Sequence, residues 1–129
     1  MHKPLSPSGI HPPFAPYSHG IEIVSRSRLV FCSGQLGIAA DASVPADCAG
    51  QALLCFDSIR AILAEAGMGF EHVVKINAFV TGREHLRPYM DVRNELFAEP
   101  WPASTQMIVS GFARPEFVVE IEAIGAAPG

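Results

Sequence analysis

From Phe117 to Ile124 the chain reads FVVEIEAI, and its side chains alternate with a period of two. Phe117, Val119, Ile121 and Ala123 fall on one side; Val118, Glu120, Glu122 and Ile124 fall on the other. A strand with one wholly apolar face has to cover that face with other elements, so this run limits the fold more than any other stretch. Its opposite face sets two carboxylates two residues apart between apolar neighbours. Glu120 and Glu122 are thus the best candidates for acid–base chemistry, although a strand face turned to water shows the same alternation. A second β-type run, Thr105 to Ser110, precedes it, separated by a turn holding Gly111 and Pro115.

The other elements follow the same logic. Residues 1–16 are Pro-rich and polar and read as an extended arm rather than a packed element. Ile21 to Val24 and Leu29 to Ser33 read as the two strands of a hairpin around the polar turn SRSR at 25–28. Ser33-Gly34-Gln35 closes the second strand, where glycine allows a close approach by a ligand or a neighbouring strand. Asp47 can cap a helix running to about Ala66, with Gly67 as its stop and Ala52, Phe56, Ile59, Leu63 and Ala66 as its buried stripe. Val73 to Thr81 alternates as a third strand. A second helix runs from about Arg83 or Glu84 to Phe97, ahead of Pro100. The order is hairpin, helix, strand, helix, then two strands: an α+β single domain over residues 1–129, with one mixed sheet and two helices on one of its faces. The other face is left bare, which implies self-association.

Composition narrows the function. Apolar residues make up 49% of the chain and the mean hydropathy is +0.25, so part of the apolar surface is expected to be covered by other subunits. A net charge of −4, a pI near 5.7 and nine scattered basic residues argue against a nucleic-acid surface, which needs a dense basic patch. Cys32, Cys48 and Cys55 are odd in number and lack metal spacing, so they read as reduced, packed thiols of a cytoplasmic protein. The five histidines form no H-x-x-x-H pair, and no metal site is expected. The first twenty residues carry five prolines and no apolar core, unlike a signal peptide, and no apolar run has the length of a membrane helix.

One charge stands out. On the second helix Leu86, Tyr89, Met90, Leu96 and Phe97 form the apolar stripe, and at 100° per residue Arg93 falls within it. A buried guanidinium requires an anion. The partner is either a carboxylate, within the subunit or across an interface, or an anionic ligand.

With these residues in place, the chain resembles the YjgF/RidA family. The resemblance rests on PYSHG at 16–20, FCSGQ at 31–35, EAG at 65–67, VVKINAFVT at 73–81, PAST at 102–105 and VEIEAI at 119–124. It implies a chorismate-mutase-like fold, a homotrimeric barrel, and a ligand cleft at each subunit interface. Deaminase-type members hydrolyse reactive enamines and imines to 2-keto acids and ammonia without metal or organic cofactor. By that resemblance Glu120 positions or activates the water, Tyr17 lines the cleft, and Ser33 and Gly34 meet the substrate, with Ser104 and Thr105 at the carboxylate end. The deaminase pattern P-A-R-S/T carries an arginine where this chain has Ser104. A serine hydroxyl gives one neutral hydrogen bond in place of a charged fork, so another cation has to hold an anionic substrate. Arg93 and Arg114 are the candidates, Arg93 first. Two other readings stay open: a non-catalytic trimer that binds a small ligand or partner, and a ribonuclease or translation inhibitor, against which the acidic pI counts.

Overall fold

The structure is a computed structural model that describes residues 2–129. Strands β1 (Lys3–Leu5), β2 (Gly20–Glu22) and β3 (Ser27–Leu36) precede helix α1 (Cys48–Ala64). They are followed by β4 (Val73–Val80), α2 (Leu86–Leu96), β5 (Ala103–Ile108) and β6 (Val119–Pro128), with short 3-10 turns at Phe70–His72 and Arg83–His85. The main sheet has the order β3-β6-β4-β5. Its β3–β6 and β4–β6 pairs are antiparallel, and β4–β5 is parallel.

The alternating run is the centre of this sheet. Val119, Ile121 and Ala123 of β6 are buried together with Ile76, Ala78 and Val80 of β4. Phe56, Ile59 and Leu63 of α1 and Tyr89 and Val92 of α2 complete the same core. Both helices therefore lie on one face, as the periodicity requires. α1 starts where its cap predicts: the Asp47 side chain accepts from the Gly50 N–H, and Gly67 takes a positive φ of 69° just past its end. Among the described residues no helix is long and apolar enough to cross a membrane.

The arm is extended at β1, which is exposed but does not stand alone: it pairs with β2 in a separate two-stranded ladder, Lys3 opposite Glu22 and Leu5 opposite Gly20. Pro4 is tolerated there because a two-stranded ladder consists only of edges, where a missing N–H can face outward. The expected hairpin does not form, since β2 goes to β1 while β3 pairs with β6 from Ser27–Pro128 to Leu36–Glu120. Ten residues of β3 gain a long ladder over the core from β6, which the three of β2 cannot offer. Strands β5 and β6, consecutive in the chain, are likewise not neighbours; β4 lies between them.

The approach of α1 to the sheet depends on one glycine. A Cβ at Gly37 would lie 2.6 Å from the Gln51 Cα. Gln51 is fully buried and ties α1 to the chain entering β6: its Nε2 donates to the carbonyls of Pro45 (2.9 Å) and Glu116 (2.8 Å), and its Oε1 accepts from the Val118 N–H (2.9 Å). Gly37→Ala pushes against helix backbone that cannot rotate away. It should cost about 1–3 kcal/mol, read as a lower thermal midpoint, as overpacked sites do. Gly111→Ala, with nothing within 4 Å, is the control and should melt like the parent.

Candidate functional site

A cavity of about 450 Å³ opens between α2, the edge strand β5 and the segment Phe14–Tyr17. Each wall follows from local sequence. Arg87, Met90 and Asn94 recur at i, i+3 and i+7 and so line up along one side of α2, with Arg93 beside Asn94. On β5, Ser104 and Gln106 point to the helix side because Ser104 pairs with Ile76 and Gln106 with Ala78, both core residues of the parallel neighbour. The third wall is held by Ser18, whose N–H donates to the Pro102 carbonyl (3.1 Å) and whose hydroxyl donates to the Trp101 carbonyl. That seam places Tyr17 over the start of β5.

Arg93 is the central group. It is 2% exposed. Its Nη1 donates to Ser104 Oγ at 3.1 Å, and Nε and Nη2 donate to Asn94 Oδ1 at 3.3 and 3.2 Å. Its Cζ lies 5.7 Å from the centre of the Tyr89 ring. Among the described residues no carboxylate pairs with it, so the structural ion pair left open by the sequence is not found among them. A guanidinium has five N–H donors; three are occupied by neutral oxygens and the charge itself is unmatched. The Tyr89 hydroxyl, also buried, lies beside Ser104 and Arg93 without a hydrogen bond of normal geometry. Burial pushes its pKa up, against the pull of the Arg93 charge.

The remaining sequence-derived site residues lie on the opposite, open face of the sheet. Glu120 sits against Gly34: a Cβ at position 34 would lie 2.7 Å from the Glu120 Cδ, so the glycine makes room for this carboxylate. Glu122 Oε1 accepts from Asn77 Nδ2 at 3.0 Å, and these two share a second cavity of about 270 Å³ with Phe31 and Ser33. Thr105 is split from Ser104 by the strand period. It faces the open side, where its Oγ1 accepts from Lys75 Nζ at 2.8 Å, and burial holds the Lys75 ammonium below its usual range. Within one chain, then, Tyr17, Arg93 and Ser104 come together, while Ser33, Gly34, Thr105 and Glu120 form a separate set across the sheet.

Arg114 is in neither set. It pairs with Glu116 at 3.3 Å, both side chains about half exposed, and its Cζ lies 4.7 Å over the Phe117 ring. Within one chain Arg93 is the cation hydrogen-bonded to Ser104. The thiols are buried, and burial raises the pKa of Cys48 to about 11 and of Cys55 to about 12, so they stay protonated and poor as nucleophiles. Phe14, Arg87, Asn94 and Gln106 belong to the cavity and were not singled out in the sequence. For Arg87 and Asn94 the signal was there, since both share the Met90 side of the helix; for Phe14 there was none, because only the fold brings its segment to β5.

Comparison with known proteins agrees with this architecture. Residues 9–127 match the family model described as Endoribonuclease L-PSP. The RutC family protein YjgH of Escherichia coli (strain K12) is 34% identical over 117 residues, covering 89% of this chain and 88% of that one. The 2-iminobutanoate/2-iminopropanoate deaminase of Dermatophagoides farinae is 28% identical over 123 residues, 94% of this chain and 90% of that one. The crystal structure of YyfB from Yersinia pestis, a Rid family protein described as of unknown function, superposes with a TM-score of 0.85 over 98% of both chains. At 22% identity that likeness speaks to the fold alone. With a model match spanning nearly the whole chain and a relative above 30% identity, this chain belongs to the YjgF/RidA family.

Proposed function

We propose that this protein hydrolyses a small anionic imine or enamine, with Arg93 holding the substrate carboxylate in place of the arginine that Ser104 displaces. The observation that carries this reading is a guanidinium only 2% exposed, with no carboxylate partner among the described residues, lining a cavity beside the serine. The Ser104 hydroxyl accepts from Arg93 and so anchors the cation near the position its own side chain left empty of charge. Hydrolysis needs a water aimed at the imine carbon and a proton delivered to nitrogen. Water oxygen bonds to carbon while one of its protons passes to Glu120. Glu120 returns that proton to the imine nitrogen to give a carbinolamine, whose hydroxyl proton passes to nitrogen as the C–N bond breaks, releasing the keto acid and ammonia.

Because Glu120 and Arg93 lie on opposite faces of one sheet, the reading requires that the open face of one subunit meets the β5 edge of the next, as in a cyclic homotrimer. That arrangement supports a direct test. Arg93→Met chains and Glu120→Gln chains, each impaired alone, are unfolded together and reassembled. Random mixing into trimers rebuilds one intact site in every mixed ring, so about a quarter of parental activity should return. No recovery in demonstrably mixed trimers, or full activity of a monomer, overturns the composite site.

The separation of the two groups within one chain also favours a second reading, a trimer that binds an anionic ligand without turning it over. In that case both variants assemble and no condition yields keto acid from the imine, while anion binding still depends on Arg93.

A further inference from the structure

The Arg93 cavity holds a second cation that the proposed reaction leaves unused. Arg87 lines it from the same helix, six residues earlier and therefore about 9 Å back along the axis. Its natural intrahelical partner is Asp91 at i+4, yet among the described residues no carboxylate lies within 4.0 Å of the Arg87 guanidinium. Within one chain neither Asp nor Glu contributes to the cavity wall, whose other polar groups are Tyr17, Asn94, Ser104 and Gln106, and the composite site adds a single carboxylate, Glu120, already engaged with the attacking water. Two like charges facing one concave space repel each other unless an anion lies between them or across them. In a single chain the cavity holds about 450 Å³, which leaves room for more than a three-carbon acid where a neighbouring subunit covers part of it.

We infer that the natural ligand carries two anionic groups: a carboxylate on Arg93 and a second carboxylate or phosphate reaching Arg87. Buried Arg93 fixes the reacting end, while exposed Arg87 selects the far end. The inference rests on the reading of Arg93 as the carboxylate clamp and adds the class of molecule clamped. It makes Arg87 a determinant of specificity with no part in the chemical step.

The test is calorimetric titration of the whole protein with three probes. They are 2-oxopentanoate, with one anionic end; 2-oxoglutarate, a dicarboxylate of the same chain length; and 3-phosphooxypyruvate, with a carboxylate and a phosphate. At least one probe with two anionic groups should bind about 10-fold or more tighter than 2-oxopentanoate, the scale of one charge-assisted hydrogen bond. Arg87→Gln should bring that probe to within about twofold of 2-oxopentanoate, and the tighter of the two identifies the second group. Equal binding of all three, with Arg93→Met weakening each, overturns the dianion inference and leaves the Arg93 clamp standing. Binding that ignores Arg93→Met, or no binding of any probe, overturns both.

Discussion

Glu120→Gln should fold and assemble like the parent and lose about 10²-fold or more of any imine hydrolysis, the usual scale for removing a general base. The backbone of residue 120 sits in mid-sheet, opposite Leu36 on one side and Phe79 on the other, and the substitution changes none of those ladder bonds. Its side chain lies on the open face against Gly34, where an amide of the same shape fits. The difference is that a carboxylate can take a proton from water and an amide cannot. Thermal unfolding together with the rate of keto-acid release, from an imine made in place by an amino-acid oxidase, checks both halves. A variant as fast as the parent removes Glu120 from the mechanism.

The second large effect is expected at Arg93. Arg93→Met keeps the buried bulk beside Tyr89 and removes the charge. Anionic ligands should weaken by about 1.5–3 kcal/mol, or about 10- to 150-fold, while neutral ligands are spared. The stability cost should be small for so buried a residue. The hydrogen bonds lost are to the neutral oxygens of Ser104 and Asn94, both of which line a cavity that water can enter. A stranded carboxylate, the source of the 3–5 kcal/mol penalties seen when buried ion pairs are broken, is absent from the described part of this chain. Calorimetric titration with a 2-keto acid and a thermal melt separate the effects. A melt lowered by that larger amount in the assembled protein would reveal a carboxylate supplied by another subunit. Unchanged anion affinity would show that Arg93 does not hold the ligand.

Local periodicity settled much of this molecule. The alternation of Val119 to Ile124 fixed which of those six side chains are buried, the 3.6-residue repeat on α2 put Arg93 inside, and Asp47 and Gly67 bounded α1, because each depends only on neighbours a few residues away. Pairing was another matter. That β3 leaves β2 for β6, that the Pro-rich arm returns to β2, and that β4 separates β5 from β6 are choices between distant segments, decided by which ladder lies over the buried core. The site divides along the same line. The residue types Arg93, Ser104, Glu120 and Tyr17 were legible one by one. Their sorting was not: Ser104 and Thr105, adjacent in sequence, point to opposite faces, and Arg93 and Glu120 are kept apart by the sheet between them. A strand's period of two declares that neighbours diverge, but only the packing of the helices says which of the two faces the cavity.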